Sequence, residues 1–558
     1  MRKNRLRIFT GLLLMQALAG SILFAQPVVR DIKQIGPVTE AVDFNGYGDI
    51  YYVSADGSDE SGGGSSTTPW QSVNNALKTI TDVSEAKRAA ILVAGGSYKG
   101  IIEMRPYIDL FGGFDGKNWT RDIEANTTIL DGENLHRVVI ASDSATIDGF
   151  TISHGRAKTH GGGILCDDAS PTISNCSIVE NYVLEPEDFN HERIHQDAHH
   201  GAGIAVFFNS APVIRNNVFY DNRTSIGNGA GVAFYGWIRI EGAPATSFEA
   251  NVMIGGLQAQ LKNNVFINNV AGENDIGRTR SSNGGAISCA YEARPIIENN
   301  VIAYNEAKGR SDAGGIYSEY YSYPTVVGNW LVGNIGDDDG GAIYAMRMGS
   351  ITIDQNFIAG NWTRGGGVGG IRLSKEGRGI ITNNIIVQNQ TGGAVQCVDS
   401  YMIMHDNLVM HNKGQAISYR SNFSYFQPSV LEQNIIRENE RAVSVDSFGG
   451  ASLTITKNNI DEKVQGKHNK NKPVARPSDG QKLKSKGLEF DSSRYQTIIE
   501  VDQPGNFSDL VGRVVRINEF WSVICATEGN KIFTWGNAQE QYKAGDEIEI
   551  ISDYRINQ

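Results

Sequence analysis

The chain has 558 residues and a formal net charge of -12, from 50 basic and 62 acidic residues. An acidic balance of this size argues against nucleic acid and against an anionic membrane surface as partners. Five cysteines is a low and odd number, so the sequence predicts no disulfide framework.

The N-terminus has the pattern of a secretory signal peptide. Basic residues near the start are followed by an apolar run over 8–24 and by a plausible cleavage site after Ala25. The run is short and interrupted by polar residues, which argues against a membrane anchor, and no later stretch is long and apolar enough to span a bilayer. We expect residues 1–25 to be removed and the mature chain to be secreted, periplasmic or held at the cell surface.

A leader over 26–48 precedes a predicted strand at 50–53 and an amphipathic helix at 69–80. Thr68 is placed to be the N-cap of this helix, and Pro69 to be its first residue. A repeat array follows, and such an array exposes apolar surface at its first unit. We therefore predict that the helix caps this end of the array.

The array is defined by a spacing of five residues between two asparagines, with an apolar pair between them. A cysteine replaces the first asparagine once, and the pairs are Cys176/Asn181, Asn217/Asn222, Asn264/Asn269, Asn300/Asn305, Asn329/Asn334, Asn356/Asn361, Asn384/Asn389, Asn407/Asn412 and Asn434/Asn439. Successive units lie 23 to 47 residues apart. A fixed core with variable insertions is typical of a solenoid whose loops leave at defined corners.

Each unit contains two or three short β-branched runs, too short to alternate with helices. Such units predict a parallel β-helix, with equivalent residues of neighbouring coils ~4.8 Å apart. The first asparagine of each pair can then hydrogen-bond to its counterparts above and below. Cys166, Cys289 and Cys397 follow the glycine-rich strand starts at one position, and we expect them to be buried filler.

The runs at 51–59, 128–132 and 147–152, together with the coils, resemble the right-handed parallel β-helix repeat proteins of the pectin lyase-like superfamily. The resemblance covers roughly residues 49–460 and implies an all-β fold. That superfamily contains polysaccharide lyases, glycoside hydrolases, epimerases and non-catalytic surface proteins, so the resemblance leaves the activity open.

The predicted β-helix, 49–462, is followed by a lysine-rich linker over 463–486 and a small β domain over 487–558. The linker contains two prolines and has no apolar periodicity. A polyanion-binding patch is the alternative reading of the linker, and the acidic charge of the chain argues against it. We expect the small β domain to cover the open edge of the last coil.

Long insertions leave the coils at one corner, at 182–200, 270–283, 306–313 and 335–339. They should wall a groove along the strand that follows each glycine pair, which suits an extended polymer. Alternation along these strands places aromatic and charged side chains outside. The expected groove residues are Tyr235, Tyr317, Glu319, Tyr344 and Arg372 on the strands, and Tyr291, Tyr320, Arg347, Lys375 and Asp399 just after them.

Arg347 and Lys375 should stack one coil apart, with Arg372 close in sequence. Two cations ~5 Å apart repel by roughly 3 kcal/mol at an effective dielectric constant of about 20, and an anionic ligand would relieve the repulsion. This favours β-elimination on a uronate polymer, in which an arginine neutralises the carboxylate, Lys375 takes the C5 proton and Tyr344 protonates the leaving oxygen. The alternative is that Asp399 or Glu376 pairs with the cations.

Hydrolysis is the second catalytic hypothesis, and it needs two carboxylates facing each other across the groove. The candidates are Glu319, Glu292, Asp337, Asp338 and Asp339. The loop with three aspartates, 337–339, is also a candidate Ca²⁺ site. His199 and His200 lie beside the groove and are candidate substrate contacts.

Taken together, these patterns predict a secreted, monomeric, carbohydrate-active protein that cleaves an acidic polysaccharide. A non-catalytic surface adhesin or glycan-binding solenoid is the alternative. No motif of a particular pectin-degrading branch is present in the sequence, so the substrate and the choice between lyase and hydrolase stay open.

Overall fold

The computed structural model describes residues 36–184, 199–239, 251–253, 258–275, 282–422, 429–447, 453–460, 481–491, 496–503, 505, 507, 510, 514–517, 520–535 and 543–551. The predicted signal peptide and most of the predicted linker lie outside these ranges. Within them, no helix has the length and apolar character that a bilayer crossing requires.

The chain winds as a parallel β-helix, as the repeat predicts. One regular coil contains four strands, Ile287–Ala290, Ile296–Glu298, Val301–Ala303 and Glu306–Ala307. Equivalent strands of successive coils pair in parallel and build four long sheets, which we number first to fourth in this order. In the described residues the first sheet has 12 strands, the second 14, the third 13 and the fourth seven.

The strand bounds follow, sheet by sheet. The first sheet contains Ile102–Glu103, Val139–Ile140, Ile164–Asp167, Ile204–Phe207, Val232–Tyr235, Ile287–Ala290, Ile316–Ser318, Ile343–Met346, Ile371–Ser374, Gly393–Val398, Gln415–Ser421 and Arg441–Ser447. The second contains Tyr47–Val53, Arg88–Ala94, Ile108–Phe114, Thr146–Asp148, Thr172–Ser174, Val213–Arg215, Gln260–Lys262, Ile296–Glu298, Thr325–Val327, Ser350–Asp354, Arg378–Thr382, Tyr401–His405, Ser429–Glu432 and Leu453–Thr456. The third contains Gly96–Lys99, Thr128–Asp131, Thr151–Ser153, Ser177–Val179, Val218–Tyr220, Val265–Ile267, Val301–Ala303, Trp330–Val332, Phe357–Ala359, Ile385–Val387, Leu408–Met410, Ile435–Arg437 and Asn459–Ile460. The fourth contains Arg156–Ala157, Tyr182–Val183, Arg223–Thr224, Val270–Ala271, Glu306–Ala307, Ile335–Gly336 and Trp362–Thr363. A separate antiparallel pair joins Trp237–Arg239 to Asn251–Met253.

The interior of the β-helix is one continuous apolar core. It runs from Val53 to Ile460 and takes the alternate, inward residues of each strand. Cys166, Cys289 and Cys397 belong to it as free, buried thiols, which confirms their expected role as filler. Their position repeats in register through the first sheet.

Both asparagines of each pair form hydrogen-bonded ladders along the solenoid. The Asn329 side-chain oxygen accepts from the Asn300 backbone N–H at 2.8 Å and from its side-chain amide at 2.9 Å. The Asn334 oxygen accepts from Asn305 in the same way, at 3.0 Å in both bonds. The ladder of first asparagines confirms the predicted hydrogen bonds between successive coils. The second asparagines form a second ladder, so two buried corners of each coil are stabilised by these hydrogen bonds.

The one α-helix of the described ranges, Val73–Thr79, packs its apolar side against the first coils of the core. Ser72 is its N-cap, because the Ser72 hydroxyl accepts from the Asn75 N–H at 3.1 Å. The predicted start at Pro69 is therefore too early. A short 3-10 helix, Phe44–Gly46, lies before the first strand.

The described C-terminal residues form a closed antiparallel barrel. Its strands, in spatial order, are Gln481–Asp491, Gln496–Val501, Lys531–Trp535, Phe520–Glu528, Val514–Ile517 and Glu547–Ile551. The barrel thus begins at Gln481, inside the stretch assigned to the linker. Phe533 packs against the apolar cluster on the outer face of the third sheet, so this contact is with the side of the solenoid.

Candidate functional site

A pocket of about 350 Å³ lies at the turns that join the first sheet to the second. Four successive coils line it, through Tyr320, Tyr321, Arg347, Met348, Lys375, Glu376 and Asp399. Four of these side chains are residues that the sequence placed in the groove: Tyr320, Arg347, Lys375 and Asp399. Tyr321 and Met348 are additional lining residues, and both are exposed.

The backbone of these turns is left-handed at two consecutive residues in three of the four coils, and at Asp399 alone in the fourth. The φ angles are 45° and 63° at Tyr320 and Tyr321, 50° and 61° at Arg347 and Met348, and 49° and 65° at Lys375 and Glu376. A left-handed conformation costs roughly 1–2 kcal/mol for a residue with a Cβ, and such turns favour asparagine and glycine.

The corner at the first asparagine ladder uses mostly tolerant residues. The left-handed positions just before this ladder are Asn175, Asn216, Asn263, Asn299, Gly328, Gln355, Asn383, Asp406, Gln433 and Lys457. Before the second ladder, residues such as Tyr304 and His411 are also left-handed, but singly. At the pocket, two consecutive left-handed positions carry long side chains. Strain clusters at functional sites, so this paired strain makes the pocket the first candidate for function.

Arg347 is fixed from two sides. Its Nη1 donates to Glu319 Oε2 at 3.0 Å and to the Tyr320 hydroxyl at 2.8 Å. Glu319 is only 1% exposed and also accepts from the Tyr317 hydroxyl at 2.9 Å. Burial raises the pKa of the Glu319 carboxyl, and the Arg347 guanidinium opposes this rise. The positive charge of Arg347 is therefore partly neutralised by the buried Glu319 carboxylate. Its repulsion with Lys375 is weaker than the sequence alone implies.

Lys375 is exposed and shares the pocket lining with two carboxylates, Glu376 and Asp399. Asp399 Oδ1 accepts from the Asn422 backbone N–H at 2.7 Å, which orients that carboxylate. The pocket wall therefore carries both signs of charge, with the two cations on adjacent coils.

Tyr317 and Tyr344 face outward from the first sheet, as predicted, but they are covered. They are 1% and 3% exposed and pack with Ala313 and Met346. The Tyr344 hydroxyl lies 2.5 Å from the Ser374 hydroxyl, and burial raises the pKa of this phenol. Tyr344 does not line the pocket described above, because neighbouring coils place bulky side chains over it.

Arg372 points to the other edge of the first sheet. Its Nη1 lies 3.0 Å from Asp339 Oδ1 and also donates to Gln396. The structure thus separates Arg372 from the pair formed by Arg347 and Lys375.

At that edge, Asp312, Asp338 and Asp339 bring carboxylate oxygens within 4.8 Å of one another. Burial raises the pKa of Asp312 well above its usual range, and the charges of Asp339 and Asp338 raise it further. Asp337 turns away and accepts from the Arg310 backbone N–H at 2.6 Å. The sequence therefore identified two members of this cluster, and Asp312 is the member that it missed.

Oxygen ligands of this kind suit a hard cation such as Ca²⁺. Among the described residues, this is the one group of three side chains with ligand atoms close enough to share an ion. Gly367 packs directly on the cluster, since a Cβ there would lie 2.2 Å from Asp339 Oδ1. A Ca²⁺ site stays a prediction, with Asp312 replacing Asp337.

A side-chain ladder that sequence reasoning missed runs along the same edge. In each of its steps a side-chain atom accepts from the backbone N–H of the equivalent residue one coil further along the chain. The members are His160, His200, Asn228, Asn283, Asp312 and Asp339. Most of them immediately precede the glycine motif of their coil, and this shared position is the signal that could have revealed the ladder.

The predicted tyrosine and histidine contacts form an aromatic row that leads to the pocket. Tyr291 stacks on Tyr320 at 4.8 Å between ring centroids, and Tyr235 lies 5.7 Å from Tyr291. His200 stacks on Tyr235 at 4.5 Å. Tyr235, Tyr291 and His200 are buried, so they support the surface from below. His199 lies beside this row, and its Nδ1 is 3.2 Å from the Leu184 carbonyl oxygen.

Comparison with known protein families assigns the fold of the chain. The model of the right handed beta helix region matches residues 81–331, 238–422 and 334–460. The chain belongs to the right-handed β-helix family. This family assignment covers all the coils that form the pocket and the acidic edge, the name used here for the Asp312, Asp338 and Asp339 cluster. It confirms the fold that the sequence predicts.

Two solved structures are similar to this β-helix family member at low identity. A GH136 lacto-N-biosidase from Eubacterium ramulus is 14% identical, over 74% of this chain and 68% of the other, with a TM-score of 0.29. ORF18 of Geobacillus virus E2 is 10% identical, over 87% and 76% of the two chains, with a TM-score of 0.15. No curated protein matches the sequence.

Proposed function

We propose that this protein binds an acidic polysaccharide in the turn pocket and cleaves it by β-elimination. The observation that supports the proposal is the joint lining of one pocket of about 350 Å³ by Arg347, Lys375 and two tyrosines. The volume suits a sugar unit, the tyrosine rings suit its apolar face, and the cations suit its carboxylate.

Each role follows from the position of a side chain. Arg347 presents a guanidinium whose place is set by Glu319 and Tyr320, so it can neutralise a uronate carboxylate without reorganising. That neutralisation acidifies the C5 proton of the sugar. Lys375 lines the same pocket one coil from Arg347, and its amine takes this proton.

Tyr320 replaces Tyr344 as the acid that protonates the leaving oxygen. The Tyr320 hydroxyl lines the pocket side of the turn and accepts from Arg347, so its own hydrogen is the one it donates. The C4–O4 bond breaks as the C5 proton leaves, which gives an unsaturated uronate end and a free hydroxyl end.

Hydrolysis at the acidic edge is the second candidate function. Asp312 lies within 4.8 Å of Asp338 and Asp339, and its raised pKa favours a protonated acid beside an ionised partner. This pairing is the one that a carboxylate-based glycosidase uses.

The test uses the mature chain and a panel of uronate polymers, with a neutral glucan as substrate control. Ultraviolet absorbance of unsaturated uronate ends is followed together with reducing ends. We expect both signals to rise, and Lys375→Gln to lower the elimination rate by about 10²–10⁴-fold. Lys262→Gln is the matched control, because Lys262 pairs with Glu298 on the second sheet, away from the pocket.

The other outcomes separate the alternatives. Reducing ends without absorbance, lost in Asp312→Asn, would assign hydrolysis. Binding without either product would assign a glycan-binding solenoid. Full elimination activity in Lys375→Gln would remove Lys375 as the base.

A further inference from the structure

A strip rich in arginine and tyrosine runs beside the pocket, at the start of the second sheet; Arg294, Tyr323 and Arg378 are exposed, and Tyr401 is half-buried. Its members occupy one register position in five successive coils and are Arg294, Tyr323, Ser350, Arg378 and Tyr401. The pocket residues Tyr321, Met348, Glu376 and Asp399 lie two positions earlier in four of these coils. The strip is therefore continuous with the pocket.

Along the solenoid axis, the strip has two arginine–tyrosine pairs separated by Ser350. The Arg294 guanidinium lies over the Tyr323 ring, 5.2 Å from its centroid, and Tyr323 is 44% exposed. Arg378 pairs in register with Tyr401 on the next coil. An arginine followed by a tyrosine thus occurs twice, three coils apart, which is a separation of ~14 Å at ~4.8 Å per coil.

The charges of the strip are only partly balanced. Glu292 is 3.8 Å from Arg294, whereas Arg378 is exposed and, among the described residues, has no ion-pair partner. Glu376 and Asp399, the nearby acidic residues, line the pocket together with Lys375. An exposed arginine beside tyrosine rings suits a ligand with carboxylates and flat apolar faces.

We infer that this strip binds the sugar units that neighbour the one in the pocket, so that the polysaccharide lies parallel to the solenoid axis. This inference rests on the proposed function and deepens it. Arg294 and Arg378 contact carboxylates, and Tyr323 and Tyr401 stack on sugar rings. The strip thereby makes affinity depend on chain length.

The test measures dissociation constants for uronate oligosaccharides of two and of six units by calorimetry. The Lys375→Gln background prevents turnover. We expect Arg378→Ala and Tyr323→Ala each to weaken binding of the six-unit ligand by about fivefold. The two-unit ligand, which fills the pocket alone, should change by less than about twofold.

Arg156→Ala and Tyr182→Ala are the matched controls. Arg156 lies over the Tyr182 ring at 5.3 Å from its centroid, on the fourth sheet and far along the chain from the pocket. We expect these controls to leave both ligands unaffected. Tyr323, Arg378 and Arg156 are exposed and Tyr182 is half-buried, so we expect all four variants to fold, and thermal unfolding checks this.

The results distinguish two failures. The strip inference is wrong if Lys375→Gln alone binds the six-unit ligand no better than the two-unit ligand. It is also wrong if the strip variants bind as tightly as the controls. In both cases the pocket proposal stands. If neither oligosaccharide binds, the proposed function itself fails, and the strip inference with it.

Discussion

Arg347 lies over the ring of Tyr320, with its Cζ 5.1 Å from the ring centroid, and donates to the hydroxyl of the same tyrosine at 2.8 Å. The same Nη1 reaches the buried carboxylate of Glu319. Removing one partner of such a pair leaves an uncompensated buried charge. We expect Arg347→Ala to lower the free energy of unfolding by about 2–4 kcal/mol.

The double variant Arg347→Ala/Glu319→Gln tests the cause. Because it removes the buried charge as well, we expect it to recover at least half of the loss in denaturant unfolding. A double variant that is less stable than Arg347→Ala would show that Glu319 is stabilised by other contacts.

Glu376→Gly should stabilise the fold while it removes part of the pocket wall. The residue has φ of 65°, a conformation that glycine adopts without strain. We expect a gain of about 1 kcal/mol in the free energy of unfolding. Asn268→Gly is the matched control, since Asn268 is left-handed at φ 56° but asparagine tolerates this region. A gain in the control as large as in Glu376→Gly would contradict the strain at the pocket.

The ladder predicts a large cost for one buried asparagine. In Asn300→Ala, the Leu261 carbonyl and the Asn264 N–H lose their partners, and the bond from the Asn300 side-chain amide to Asn329 is lost as well. We expect about 3 kcal/mol or more of destabilisation, because each buried group left unsatisfied costs about 1–3 kcal/mol. Cys176→Ala, at the head of the same column, should cost less than half as much in the same unfolding measurement.

The fold was readable from the sequence because each coil repeats its backbone contacts. The spacing of five residues from Asn300 to Asn305 sets two buried corners, and the alternation through Cys289 sets the inward face. These local sequence patterns recur in each regular coil.

The site was less readable because its geometry depends on what covers each outward residue. Alternation places Tyr344 outside the core, but it cannot tell that the side chain is only 3% exposed and bonded to Ser374. Similarly, Asp312 reaches the aspartates of the 337–339 loop only through coil stacking. The left-handed turns at Tyr320 and Tyr321 have no sequence signature, since they lack asparagine and glycine.

The acidic edge predicts a response to calcium. Three carboxylates with oxygens within 4.8 Å repel one another, and a bound cation would relieve this repulsion. We expect millimolar Ca²⁺ to raise the thermal unfolding midpoint, and chelator to reverse the rise. Asp338→Asn should remove the response, whereas Asp337→Asn should keep it, because Asp337 is directed to Arg310 and Arg364. A response that survives Asp338→Asn would place the ion elsewhere.

Stability should fall in mild acid because of His160. Its Nδ1 accepts from the His200 N–H at 3.0 Å, and its ring packs 4.4 Å from that of Phe207. Burial lowers the pKa of His160 to about 3, and the charges of His199 and Arg137 lower it further. The His160 ring is therefore protonated below about pH 6.5 in the unfolded state but stays neutral in the folded state. Its contribution to the free energy of unfolding is fully present above that pH and is lost as the pH falls toward 3.

At pH 5 this linkage amounts to about 2 kcal/mol relative to neutral pH. We expect His160→Asn to remove that share of the acid dependence, since an asparagine oxygen can still accept from the His200 N–H and does not titrate. His405→Asn is the control, because His405 pairs with Asp406 at 2.8 Å on the second sheet. Denaturant unfolding at pH 5 and pH 8 gives the free energy of unfolding of each variant relative to the wild type at both pH values. If His160→Asn loses as much stability between pH 8 and pH 5 as the wild type does, the acid sensitivity belongs to other groups.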